Sequence, residues 1–159
     1  MSASQAVQQL DQLRRLRERR AEAQLATWRA RCEEAAQRLA QAQAEVNEAR
    51  ALLEGEARQL QTLLCEGGLP VGRYRSALDL LDALEAQRAT LAEGADEASR
   101  QLADVQASRD QAHQLWLRRQ LQCEALEPLL QRHYRAQQRA AEAIEESLAE
   151  DRNRGVLHR

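Results

Sequence analysis

Histidine and cysteine are the side chains in this sequence that could bind a metal or act as nucleophiles, and their spacing argues against both roles. No two of the three histidines lie close enough to ligate one ion from neighbouring turns of a helix, and the cysteines form no CxxC pair. We therefore expect no metal site and no disulfide. The residues concerned are His113, His133, His158, Cys32, Cys65 and Cys123.

Carboxylate pairs are the next candidates for chemistry, because two carboxylates that face each other can act as acid and base. The pairs Glu33-Glu34 and Glu145-Glu146 are adjacent in sequence, so on a helix their side chains point in different directions. Phosphate-binding loops, dinucleotide fingerprints, HExxH and nucleophile elbows are all missing. The sequence therefore predicts no catalytic residues, no cofactor and no enzyme.

A cluster of arginines near the N-terminus is the first candidate for binding. Five arginines fall within seven residues, and such a basic density can steer a chain towards an acidic partner. The alternative is a solvated helix end in which these arginines pair with Asp11, Glu18 and Glu22. Nucleic acid is a weaker candidate, since no aromatic side chain lies among the arginines to stack on a base. The cluster comprises Arg14, Arg15, Arg17, Arg19 and Arg20.

A second candidate surface follows a turn signal at residues 66–72, where three glycines and a proline occur. Apolar residues here are more numerous than one stripe of a helix requires, which suggests that a third element docks near the turn. Packing by Leu69 and Val71 of the loop itself is the alternative. The apolar residues after the turn are Tyr74, Leu78, Leu80, Leu81 and Leu84.

The elements that carry these candidates are two long helices. Apolar residues follow a 3-4 spacing from Leu25 to Leu63, and a second such repeat runs from Ala77 to Leu130. A sustained seven-residue repeat requires a partner helix along its length. Aromatic residues make up 3% of the chain, so a thin seam between two helices fits better than a thick core. Disorder that resolves on binding is the alternative, but the net charge of −2 argues against it.

The predicted fold is therefore all-α, a long antiparallel two-helix coiled-coil hairpin over residues 1–159. We expect helix 1 at about 4–64, a turn at 65–72 and helix 2 at about 73–151. Pro128 predicts a kink near residue 128, because an interior proline loses a helical hydrogen bond. Residues 152–159 should fray. Arg88, Arg109 and Arg119 fall on the seam of helix 2, where they should either reach out to solvent or weaken the seam.

Two runs of residues resemble the FliJ/YscO family of type III export stalk proteins. Leu10, Leu13 and Leu16 recur every third residue before an Arg20-Ala21-Glu22 motif, as at the start of YscO-like chains. Tyr74, followed by Leu78, Leu81 and Leu84, is similar to the aromatic-then-leucine pattern of that family. Ala77 stands where flagellar members carry an aromatic residue, which favours the injectisome branch.

This resemblance implies a central stalk at the cytoplasmic base of a bacterial secretion apparatus. By it, Arg14, Arg15, Arg17, Arg19 and Arg20 would contact the hexameric export ATPase. The set Tyr74, Leu78, Leu81 and Leu84 would face the export gate protein, and secretion chaperones are further candidate partners. Neither nucleic-acid binding nor membrane insertion is expected. The alternative function is a homo-oligomeric scaffolding coiled coil or a secretion chaperone.

Overall fold

The computed structural model describes residues 2–157 and contains two helices joined by a short turn. Helix α1 spans Ala3–Cys65 and helix α2 spans Val71–Leu157. The two helices pack against each other, and the described residues form no strand. The predicted all-α helical hairpin is therefore confirmed. Neither helix has, within the described residues, a segment that is long and apolar enough to cross a membrane.

Helix α1 begins one residue before the predicted start, because Ser2 rather than Ser4 caps it. The Gln5 backbone N–H donates to Ser2 Oγ, and the Ser2 N–H donates to Gln5 Oε1, both at 3.3 Å. This reciprocal pair is a capping box, which satisfies two backbone donors that a helix start leaves free. Ser4 instead lies inside the helix and contacts Gln137 of α2.

The turn between the helices is shorter than predicted, at residues 66–70 instead of 65–72. Gly67 adopts a φ of 81°, a left-handed conformation that glycine accepts without steric cost, and its N–H donates to the Leu64 carbonyl at 3.3 Å. Pro70 immediately precedes α2 and accepts a hydrogen bond from the Tyr74 N–H at 3.0 Å. Helix α2 can therefore start at Val71, and Gly72 is helical.

The chain separates into two compact units, which we call the turn unit and the terminal unit. The turn unit is residues 26–111, and the terminal unit is residues 2–25 with 112–157. In the turn unit the predicted seam is confirmed from Trp28 to Leu60 on α1 and from Ala77 to Arg109 on α2, where every seam residue is buried or half-buried. Leu63, the last residue of the predicted seam on α1, is instead exposed.

Arginines at seam positions reach solvent as expected. In the turn unit, Arg88 donates two hydrogen bonds to the Glu85 carboxylate, at 2.9 and 2.6 Å, and Arg109 pairs with the neighbouring Asp110 at 2.8 Å. The hydrogen bonds from Arg88 lower the pKa of the Glu85 carboxyl below its usual value. The charged heads thus stay paired near the surface while the aliphatic stems cover the seam.

The terminal unit has a short apolar core formed by both helices. Its buried residues are Ala21, Leu25, Ala112, Leu126 and Leu130. Within this unit the helices run antiparallel, since Ser4 contacts Gln137 whereas Arg14 contacts Gln122.

Pro128 lies between two of these core residues without interrupting α2, which stays helical throughout. The side chains on either side, Leu126 and Leu130, are only 4% and 3% exposed. Their packing offsets the hydrogen bond that proline removes. The predicted kink near residue 128 stays a prediction.

The end of α2 differs from the prediction. Residues 152–157 are helical rather than frayed, and the helix reaches Leu157. Arg154 lies in the last turn, where its charge interacts favourably with the negative end of the helix dipole. The last two residues of the predicted tail, 158 and 159, lie outside the described part of the chain.

Leu126→Ala tests the terminal core against a surface leucine on the same helix. Removing the Leu126 side chain should lower the free energy of unfolding by about 2 kcal/mol or more, because it leaves a cavity at a buried site. Leu121→Ala, at a side chain that is 62% exposed, should change it by less than about 0.5 kcal/mol. Urea denaturation followed by circular dichroism measures both. Equal losses would contradict the burial of Leu126.

Candidate partner-binding surfaces

The arginine cluster lies on α1 in the terminal unit, and the structure divides it into two groups. Two arginines are held by the hairpin itself. Arg14 Nη1 donates to the Gln122 backbone carbonyl at 2.8 Å, and Arg15 Nε donates to both carboxylate oxygens of Asp11 at 3.0 Å. The hydrogen bond to Asp11 is the main reason that the pKa of Arg15 is raised.

The other three arginines of the cluster face solvent. Arg17, Arg19 and Arg20 are exposed, and none of their guanidinium groups has a hydrogen bond or an ion pair within residues 2–157. The alternative in which Asp11, Glu18 and Glu22 neutralise the cluster therefore applies to Arg15 alone, through Asp11. Three guanidinium groups therefore remain available to a partner, with Arg17 and Arg20 on one side of α1 and Arg19 on another. Each can bind a carboxylate with two parallel hydrogen bonds.

Beneath the cluster, the seam of the terminal unit is polar. Counting the 3-4 spacing back from Leu25 places Glu18, Arg14 and Asp11 between the helices, and all three are half-buried. A shallow groove of about 290 Å³ opens beside them. Its lining consists of Asp11, Arg15, Glu18, Gln120, Cys123, Glu124 and Glu127.

Because polar residues occupy the seam, the leucines of the same segment lie on the outside. Leu10, Leu13 and Leu16 are 40–45% exposed and recur every third residue, so they form an apolar ridge along α1. We call them the leucine ridge. Sequence reasoning did not predict their exposure, although the signal was present: extending the seam spacing backward from Leu25 passes through none of them.

The structure also separates the four predicted gate-facing residues after the turn into exposed and half-buried ones. Tyr74 and Leu78 are exposed, whereas Leu81 and Leu84 are half-buried in the seam of the turn unit. Only the first two of the four predicted gate-facing residues are therefore free to contact a partner without disturbing the hairpin.

A groove of about 370 Å³ lies at the same turn. Leu60, Leu63, Leu69, Leu80 and Leu81 contribute its apolar lining, and Arg73 and Glu56 are polar members. The predicted loop packing is present in part, because Leu69 of the loop is half-buried and lines this groove while Val71 is 71% exposed. The loop therefore leaves apolar surface uncovered beside the turn.

The histidines take part in aromatic contacts. The His113 ring lies 5.9 Å from that of Trp116, and the His133 ring lies 6.3 Å from that of Tyr134, measured between centroids. Among residues 2–157, no three His, Cys, Asp or Glu side chains come together in a group that could hold a metal ion. His158 is outside the described residues.

The three cysteines differ in their surroundings. Cys65 is exposed beside the turn, Cys32 is buried, and Cys123 is half-buried in the polar seam. Burial is the main cause that raises the pKa of the Cys123 thiol, and the nearby Glu18 carboxylate raises it further. A raised pKa lowers the thiolate fraction, which is the reactive form.

In comparisons with known proteins, no protein-family model, no curated protein and no solved structure matches this chain. Its class is therefore defined by its own structure. It is a coiled-coil-like helical hairpin with two outward surfaces, one basic and apolar near the start of α1 and one apolar beside the turn. Such surfaces can bind proteins.

Alkylation of the native protein should modify the cysteines in the order Cys65, then Cys123, then Cys32. Exposure favours Cys65, the raised pKa slows Cys123, and Cys32 should react only when the helices open locally. Pulses of iodoacetamide at pH 8, followed by peptide mass spectrometry, measure all three in one sample. In denaturant the three rates should converge. A native Cys123 as reactive as Cys65 would contradict its position in the seam.

Proposed function

We propose that this protein is a stalk component of a bacterial type III export apparatus, which binds and stimulates the hexameric export ATPase and links it to the export gate. The resemblance of its N-terminal and post-turn segments to the FliJ/YscO family suggests this role. The observation that carries the proposal is the set of three exposed, unpaired arginines, Arg17, Arg19 and Arg20, next to the leucine ridge.

The two-helix architecture supports a binding role. The hairpin buries only one stripe of each helix, so its surface depressions are open grooves between two helices rather than enclosed cavities. Small-molecule sites are usually concave and bury most of their ligand. Acidic and basic residues are interspersed along both helices, which suits a subunit that contacts other proteins along its length.

Electrostatics gives the arginine surface its proposed partner. Three guanidinium groups in four residues attract an acidic surface, raise the rate of encounter and favour partners with matching carboxylates. In this proposal Arg17, Arg19 and Arg20 contact the ATPase directly. Beneath the contact, Arg14 joins the two helices through Gln122, and Arg15 joins them through an ion pair with Glu127 at 4.0 Å.

The apolar surface beside the turn is proposed to bind the export gate. Tyr74 supplies an aromatic ring and a hydroxyl, a combination that is enriched at protein interfaces. Leu78 lies one turn further along the same helix and extends the apolar contact. The proposed location is accordingly the cytoplasmic base of the secretion apparatus.

Reversing the three exposed arginines should weaken binding to the export ATPase. In a chain with Arg17→Glu, Arg19→Glu and Arg20→Glu, we expect at least about a tenfold lower affinity and a loss of ATPase stimulation, because attraction becomes repulsion. Binding of the unchanged protein should also weaken as salt rises. Titration calorimetry and a phosphate-release assay with the cognate hexamer measure the two effects.

A matched control reverses three exposed arginines elsewhere on α1, with Arg29→Glu, Arg38→Glu and Arg50→Glu. It changes the net charge by the same amount and should leave affinity and stimulation close to those of the unchanged protein. If both triple variants lose binding equally, the effect is one of net charge and the arginine surface is not the contact. If neither loses it, the proposed ATPase contact is wrong.

For the export gate, Tyr74→Ala combined with Leu78→Ala should lower affinity by about tenfold or more, since exposed apolar anchors often dominate interface energy. Both side chains are exposed, so the helical content should be retained. The matched control is Tyr134→Ala with Leu121→Ala, an exposed pair of the same types in the terminal unit. Pull-down and interferometry with the gate's cytoplasmic domain compare them. Unchanged binding in the first variant would rule out this surface.

A second candidate function is a homo-oligomeric scaffold or a secretion chaperone. The exposure of the leucine ridge favours it, because contiguous apolar surface on a helix often marks a contact with another helix. Light scattering after size exclusion separates the candidates. A stalk should be a monomer or a weak dimer, whereas a scaffold should form a stable oligomer at all concentrations tested.

A further inference from the structure

A row of charged side chains runs along α2 in the terminal unit. Between positions 132 and 150, six of the seven charged residues follow a 3-4 spacing, and Glu145 is the exception. Residues at this spacing lie on one side of a helix, and α2 is helical over the whole range. We call these six residues the charge stripe, which consists of Arg132, Arg135, Arg139, Glu142, Glu146 and Glu150.

The charge stripe points away from α1. At about 100° per residue, it lies more than about 100° around α2 from Leu130 and Gln137, which face α1. Leu130 is buried, and Gln137 contacts Ser4 of α1. Every residue of the stripe is exposed, and none has an ion pair or a side-chain hydrogen bond within residues 2–157. Six charges are therefore available to a second molecule.

The order of the charges along the stripe is unfavourable within one chain. Three arginines come first and three glutamates follow, so most neighbours along the stripe carry the same sign. Arg135 lies four residues before Arg139, and the three glutamates are likewise spaced by four. Like charges at this spacing destabilise a helix. A second surface with the opposite order of charges would offset the repulsion.

The stripe is complementary to itself when one copy is turned end to end. In an antiparallel pair of stripes, each arginine of one copy lies level with a glutamate of the other, and all three pairings are centred at about position 141. In a parallel pair, by contrast, like charges would face each other. The antiparallel pairings are Arg132 with Glu150, Arg135 with Glu146, and Arg139 with Glu142.

The residues beside the stripe allow two helices to approach. Ala136 and Ala143 lie along one side of it. Gln131 and Gln138 lie along the other. None of these four residues carries a charge, so none opposes the pairing of the stripes. Because α1 packs on the opposite side of α2, it does not obstruct the approach either.

We propose that two copies of this chain form an antiparallel dimer through their charge stripes. A two-fold axis near position 141 makes each of the three pairings twice, as a symmetric dimer requires. At about 1.5 Å per residue, the contact extends over roughly 27 Å of each helix. Exposed ion pairs contribute little singly, so the dimer is weak and its association falls as salt rises. The proposal does not rest on the export function, and it uses neither the arginine cluster of α1 nor the turn.

The test reverses one half of the stripe, then the other, then both. The all-acidic variant carries Arg132→Glu, Arg135→Glu and Arg139→Glu, and the all-basic variant carries Glu142→Arg, Glu146→Arg and Glu150→Arg. Each gives the stripe a single sign, so its dimer dissociation constant should rise at least about tenfold. The swapped chain carries all six changes. Its net charge is unchanged and its stripe is again complementary to itself, so it should dimerise as the unchanged chain does. Sedimentation equilibrium at low salt measures all four proteins.

The matched control is the chain with Arg29→Glu, Arg38→Glu and Arg50→Glu. It changes the net charge as the all-acidic variant does, and it should keep the dimer. Equal weakening in the control would trace the effect to net charge and overturn the proposal. A swapped chain that stays monomeric while its circular dichroism remains helical would also overturn it.

Two further results would contradict the dimer. One is an unchanged chain that stays monomeric up to about millimolar concentration at low salt. The other is a dimer that survives in the all-acidic variant but is lost in Ile144→Gln with Leu148→Gln, since the contact would then lie on another face of α2. The all-acidic variant should still stimulate the export ATPase, so failure of the dimer and failure of the export function are observed separately.

Discussion

A two-helix seam can bury only one stripe of each helix, and the rest of this structure depends on that constraint. Because the described residues form no third layer, each apolar residue among them either falls on the stripe or faces solvent. Leu126 and Leu130 fall on it and form a core, while Leu10, Leu13 and Leu16 fall off it and form an exposed ridge. The hydrophobic surface available to partners is thus set by the phase of the helical repeat.

The composition of the seam differs between the two units. In the turn unit, apolar side chains such as Ala35 and Val46 fill most of the stripe. In the terminal unit, Asp11, Arg14 and Glu18 occupy the same positions. Asp11 accepts hydrogen bonds from Arg15, and Arg14 donates one to the Gln122 backbone carbonyl. Ion pairs this exposed contribute little to stability. The terminal unit therefore holds its helices together mainly through the few buried residues around Leu25, Leu126 and Leu130.

The hairpin and its seam could be predicted from the 3-4 spacing of apolar residues, and the turn could be predicted from its glycines and its proline. The roles of individual site residues could not be predicted in the same way. Whether Arg15 pairs with Asp11 or remains free depends on side-chain geometry near the seam. The burial of Leu81 and Leu84, in contrast, already follows from the 3-4 spacing that starts at Ala77. The continuation of α2 past residue 151 likewise depends on the stability of the whole helix. A single glycine, Gly155, lowers that stability by only about 1 kcal/mol.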